Sequence, residues 1–165
     1  MSRAGMMARK LAVARRLPPF VLLWLFPAWL LIGGAALVIA VLPFRRIAPW
    51  LGVNLGAVAH RPVCTPAQAL RARRIGAAVS IAASYAPFRS NCLPQAMAAK
   101  ALCALWRVPC AVLLGIERER PESELRAHAW TSCGDVVPTG GARCFATHVP
   151  LSCFVPAQVA GSLQR

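Results

Sequence analysis

Residues 89 to 95 read Arg-Ser-Asn-Cys-Leu-Pro-Gln and run into an Ala- and Leu-rich helical pattern. Cys92 therefore stands where a loop becomes a helix. Free backbone N–H groups and the helix dipole favour the thiolate form of a cysteine at such a place, which activates it as a nucleophile. The same N–H groups can hold an oxyanion during acyl transfer. Downstream, Ala127-His128-Ala129-Trp130 sets an imidazole inside an apolar run. A thiol paired with an imidazole is the minimum apparatus of a thiol hydrolase or acyltransferase.

Such a pair needs a third group to hold the tautomer of the base. Among the three histidines, His60 falls in a linker and His148 is the rival to His128. The chain has a single aspartate, Asp135, in a predicted hairpin turn. Turn aspartates commonly bond nearby backbone N–H groups for local reasons. Asp135 is the candidate orienting residue, with Thr139, a backbone carbonyl or a glutamate as alternatives.

The elements that must position these groups follow from pattern. Thr65 caps a helix whose first turn holds Pro66 and which continues over 67–83. Val79, Ile81 and Ala82 can face a core while Arg71, Arg73 and Arg74 face solvent. The run at 85–88 breaks that helix. A second begins at Cys92 or just after it, capped by Ser90 or Asn91, with Pro94 in its first turn. Met97, Ala98, Ala101, Leu102 and Leu105 recur at helical spacing as far as Trp106, and Val108-Pro109 ends the helix.

The period then changes. Residues 111–116 form an apolar strand ended by a charged loop at 117–124. Residues 126–131 form a second strand, a turn at 133–135 leads into Val136-Val137, and a further strand is expected at 145–149. Two helices followed by an antiparallel sheet make an α+β domain.

Residues 17–44 carry no charged side chain, and about 20 apolar residues suffice to cross a bilayer. No small-residue cleavage site follows the run, so it does not read as a signal peptide. Pro27 and Gly33-Gly34 could break it, giving a kinked span, a re-entrant hairpin or an interfacial anchor. The plain alternative is a core helix pair that never meets lipid. The expected organisation is a basic N-terminus, hydrophobic helix and linker over 1–60, with the linker itself at 48–66, and a catalytic domain over 61–165.

The formal charge is +14, with 19 basic and five acidic residues, and only Lys10 and Lys100 are lysines. Arginines lie before the apolar run, directly after it (Arg45, Arg46), and at Arg71, Arg73 and Arg74. Flanking charge on both sides sets no orientation. Such clusters suit anionic headgroups or an acidic peptide. No helix-turn-helix, RNA-binding or zinc-finger pattern organises nucleic-acid contacts, so no nucleic-acid partner is expected. The seven cysteines are irregularly spaced with no Cys-x-x-Cys pair. They read as small buried hydrophobes in a reducing compartment, with neither a disulfide framework nor a metal site, and no cofactor is expected.

The stretch Arg89-Ser90-Asn91-Cys92-Leu93-Pro94-Gln95-Ala96-Met97-Ala98, then Val108-Pro109, Leu114-Gly115-Ile116 and Ala127-His128-Ala129-Trp130, resembles the lasso-peptide maturation peptidases. These belong to the transglutaminase-like, papain-related cysteine hydrolases. The likeness covers residues 70–155, and the hydrophobic segment ending Leu-Pro-Phe-Arg-Arg is also similar. It implies a small transglutaminase-like domain that removes the leader from a ribosomally made precursor, with Cys92 as nucleophile and His128 as general base. The family's acidic third member is expected near Val137 to Gly140, where this chain has no carboxylate, leaving a dyad or recruitment of Asp135. The resemblance further implies three partners: the precursor peptide, a separate leader-recognition protein, and an ATP-dependent lasso cyclase. It also implies a location on the cytoplasmic side of the membrane, membrane-associated or single-pass. The alternatives are a transglutaminase-like acyltransferase and a non-catalytic membrane adaptor of a biosynthetic complex.

Overall fold

Thr65-Pro66 starts a helix as the sequence requires. The Thr65 hydroxyl accepts from the Gln68 N–H at 3.3 Å, and the Gln68 side chain accepts from the Thr65 N–H at 2.9 Å. This capping box satisfies two orphan donors. The helix spans Pro66–Ser84, starting where expected and ending one residue later. Gln68 Nε2 also donates to the Arg107 carbonyl at 3.0 Å, tying this start to the end of the next helix. The computed structural model describes residues 17–88, 90–118 and 127–163.

In chain order the elements are α1 (Pro19–Val41), α2 (Phe44–Leu51), β1 (Val53–Asn54), α3 (Pro66–Ser84), α4 (Cys92–Leu105), β2 (Ala111–Glu117), β3 (Ala127–Ser132), α5 (Cys144–Thr147), β4 (His148–Val155) and α6 (Ala157–Leu163). The strands form one antiparallel sheet in the order β1-β4-β2-β3. The α+β architecture expected from the sequence, helices followed by an antiparallel sheet, is present.

Helix α4 is the centre of the molecule. Ala98, Ala99, Leu102 and Cys103 bury against Ala28 and Ile32 of α1 and Ala72, Ile75 and Val79 of α3. Its other side, with Cys92, Leu93, Ala96 and Met97, packs on Val112 of β2, Ala129 of β3 and Phe154 of β4. The far face of the sheet, carrying Ala111, Leu113, Trp130, Cys153 and Val155, is covered by Cys144, Phe145, Val159 and Ala160. A small-residue helix between two apolar surfaces lets both layers approach closely.

Helix α1 runs unbroken for 23 residues through Pro27 and Gly33-Gly34, so the hairpin expectation is corrected. Its inner face holds: Phe20 and Trp24 meet Trp106 at ring separations of 5.2 and 5.7 Å, and Trp29 meets Phe88 at 5.5 Å. Gly33 lies flat against Phe88, where a Cβ would come within 3.2 Å of the ring. It is no core helix either, since only 17% of its apolar window is buried. Leu22, Leu23, Phe26, Leu30, Leu37 and Val41 face outward. By length and composition α1 could cross a membrane.

Two local expectations change. The 48–66 segment is not all linker, because Ile47 and Leu51 of α2 are buried and Val53 and Asn54 pair with Val155 and Phe154. The strand expected at 145–149 begins instead at His148, after the single turn of α5. Phe145 explains the difference: it packs edge-on to Trp130 at 5.8 Å, with the Arg61 guanidinium 4.1 Å above its ring. The expectations resting on Arg89, on the basic residues before position 17, on Arg126 and on most of the charged loop lie outside the described residues.

Candidate active site

Ser90 is fastened just ahead of Cys92. The Ser90 hydroxyl donates to the Ala83 carbonyl at 3.1 Å, and Gln95 Nε2 donates to the Ser90 carbonyl at 2.6 Å. Asn91 occupies the N-cap but makes no side-chain cap bond. Pro94 has no N–H, and the Gln95 N–H reaches the Asn91 carbonyl at 3.4 Å. The amides of Cys92 and Leu93 therefore have no intrahelical acceptor. They stand beside the half-buried thiol, where a substrate oxyanion would need donors.

His128 lies on β3, the edge strand, opposite Gly115 of β2. Its Nε2 is 2.8 Å from the Gly140 carbonyl oxygen. A carbonyl can only accept, so the neutral ring carries its proton on Nε2 and leaves Nδ1 with a free lone pair. That is the tautomer a general base requires. The group that holds the His128 ring is thus a backbone carbonyl.

Gly140 can sit there because it is glycine. Its φ is +96°, and a Cβ would fall 2.2 Å from Trp130 Cβ. The segment carrying it is clasped to β3 by two buried threonines. The Thr131 N–H donates to the Thr139 carbonyl (3.2 Å), the Thr139 N–H donates to Thr131 Oγ1 (3.1 Å), and the two hydroxyls bond at 2.9 Å. Thr139 thus fixes the strap that holds the histidine.

Cys92 and His128 both line an open cavity of about 490 Å³, together with Ser80, Ser90, Asn91, Gln95 and residues 137–141. They share a smaller one of about 180 Å³ with Phe44, Leu93 and Leu114. A third, of about 620 Å³ and mostly apolar, reaches from Cys92 and Pro94 to Gly33, Ala36, Leu37 and Ala40 of α1. The hydrophobic helix is therefore one wall of the cleft beside the nucleophile.

Asp135 is elsewhere. It sits fully exposed on its turn, 3.6 Å from Arg61, and does not line the cavity with His128. The structure brings together Cys92 and His128 and leaves Asp135 out. His148 is close to the base, its ring 4.6 Å from that of His128 and tilted by 30°. Burial, and then the charge of His128, hold His148 below the ordinary histidine range. Sequence reasoning gives no role to Gly140, Gln95 or Thr131, and names Thr139 only as an alternative orienting group, whereas its hydroxyl bonds Thr131. The Gly140-Gly141 pair was the available signal for a strained close approach.

Comparison with curated proteins and with solved structures finds no match. The sequence profile of the transglutaminase-like superfamily does match, over residues 38–152, from the last turn of α1 into β4. That superfamily includes cysteine peptidases and acyltransferases. With a cysteine at the start of the central helix and a histidine on the neighbouring strand, this chain belongs to the transglutaminase-like superfamily.

Proposed function

We propose that this protein is a cysteine peptidase that removes the leader from a lasso-type precursor peptide. The observation that carries the catalytic reading is the shared cavity of Cys92 and His128, with the histidine tautomer fixed by Gly140. His128 Nδ1 takes the thiol proton as Cys92 Sγ attacks the scissile carbonyl, and the amides of Cys92 and Leu93 bind the oxyanion. The imidazolium then protonates the departing amine. Water, activated by the same ring, attacks the thioester, releases the leader as an acid and restores the thiol.

The peptide specificity rests on the sequence resemblance and is supported by the cleft. An extended chain fits an open cavity, and the apolar trench against α1 suits hydrophobic leader side chains. A recognition protein would deliver the precursor, and an ATP-dependent cyclase would use the freed amine. The outward face of α1 would hold the enzyme at the cytoplasmic membrane surface. Because the inner face of α1 stays on α3 and α4, lipid meets this helix from one side, which favours lying in the membrane surface over crossing it.

Incubation of the purified protein with precursor and recognition partner tests the reading. His128→Ala should lower the cleavage rate by about 10² to 10⁴, and Cys92→Ala should abolish it. Retained cleavage in Cys92→Ala sinks the mechanism. Product masses decide between hydrolysis and transfer to an amine.

A further inference from the structure

Three cysteines converge at the opposite end of α4 from Cys92, and a fourth lies in a neighbouring loop. Cys103 lies in the last turns of the helix, about 16 Å along its axis from Cys92 at 1.5 Å per residue. Its Sγ is 3.9 Å from that of Cys133, on the turn after β3. Cys110, at the entry to β2, completes a group whose sulfur atoms all lie within 4.8 Å of one another, and all three residues are buried.

Cys64, in the loop before α3, closes the fourth side. Its thiol donates to the carbonyl of Pro109, the residue before Cys110, at 3.5 Å. Its Cβ is 3.5 Å from where a side chain on Gly134, the residue after Cys133, would begin. Cys64 is half-exposed, so the cluster has a door to solvent.

We propose that Cys64, Cys103, Cys110 and Cys133 form a tetrahedral thiolate site for zinc. Zinc binds thiolate sulfur at about 2.3 Å, which places the sulfurs of a tetrahedron about 3.8 Å apart. The Cys103–Cys133 pair already has that spacing, and the remaining pairs of the buried three need to close by about 1 Å at most. Among the described residues no carboxylate or imidazole belongs to the group, and a set of thiolates alone selects soft cations over magnesium or calcium.

Binding releases four thiol protons to solvent and leaves a zinc tetrathiolate of charge −2. Lys100 stands one turn before Cys103 on the same helix.

Such a site is a structural staple. It joins the end of α4, the entry to β2, the turn after β3 and the loop before α3, and none of its ligands touches the catalytic cleft. Sequence spacing hides it because each ligand comes from a different element.

The test uses the full chain carrying Cys92→Ala, so that the nucleophile cannot bind metal, purified under reducing conditions. One equivalent of zinc is expected. Exchange with cobalt should give the intense visible bands and sulfur charge-transfer absorption of a tetrahedral thiolate complex, and zinc should raise the melting temperature. Cys64→Ser should weaken metal retention and shift the cobalt spectrum without unfolding the chain. Cys103→Ser should abolish both signals or leave an unstable chain that zinc no longer rescues. A folded, metal-free protein whose melting temperature ignores added zinc overturns the proposal. So do a mapped Cys103–Cys133 disulfide, preferential loading with monovalent copper, or a cobalt spectrum insensitive to Cys64→Ser.

Discussion

The Nε2 of His128 and the carbonyl oxygen of Gly140 are 2.8 Å apart, and this one bond fixes which ring nitrogen keeps a free lone pair. Where a carboxylate would hold the ring and also stabilise its cation, a carbonyl holds it with a dipole alone. The base therefore depends on where the strap 137–141 sits.

Gly140→Ala tests that dependence. The substitution puts a Cβ against Trp130 and forces an L residue into φ +96°, which costs about 1–3 kcal/mol when the fold resists it. Turnover should fall beyond what the melting temperature explains, because the carbonyl moves with the backbone. Parallel thermal melts and kcat values check this.

The threonine clasp predicts an asymmetry. Thr131→Val removes the acceptor for the buried Thr139 N–H as well as its hydroxyl partner, at about 1–3 kcal/mol for a buried unsatisfied donor. Thr139→Val leaves that N–H bonded to Thr131 and should cost less. Chemical denaturation of both variants gives the order.

Asp135→Asn removes a carboxylate that meets only solvent and Arg61 in the described site. Cleavage rates within a factor of about two of wild type are expected, since exposed pairs contribute little. A loss of the size seen for His128→Ala would make Asp135 the orienting residue after all.

His148 gives the stability of the protein a pH dependence. Its pKa falls on folding, through burial first and the charge of His128 second, with Glu117 opposing. The unfolded chain then binds more protons than the native one just below the ordinary histidine value of 6.5, so stability rises with pH there and is lost as pH falls through that window. Melting temperatures taken from about pH 7.5 to about pH 5.5 should fall more steeply for wild type than for His148→Gln.

Much of this was legible locally. Thr65-Pro66, Pro94 in a first turn and the change from period 3.6 to period 2 at Ala111 carry their own signals, and they locate α3, α4, β2 and β3 within a residue or two. The cysteine and histidine motifs were legible for the same reason. What failed depends on contacts distant in sequence. Phe145 turns a strand-like run into a helical turn because Trp130 and Arg61 await it. Two residues at 53–54 become a strand only because β4 offers them an edge. The orienting carbonyl could not be read from side-chain chemistry, since glycine contributes none.

Helix α1 has a consequence for handling the protein. A hydrophobic N-terminal segment invites deletion to improve solubility. Here deletion would unroof Ile75 and Val79, strip Trp106 and Phe88 of their aromatic partners, and take away Gly33 and Ala36 from the trench beside Cys92. A shortened chain that proves inactive would then be a protein missing one wall of its cleft, and its silence would say nothing about Cys92.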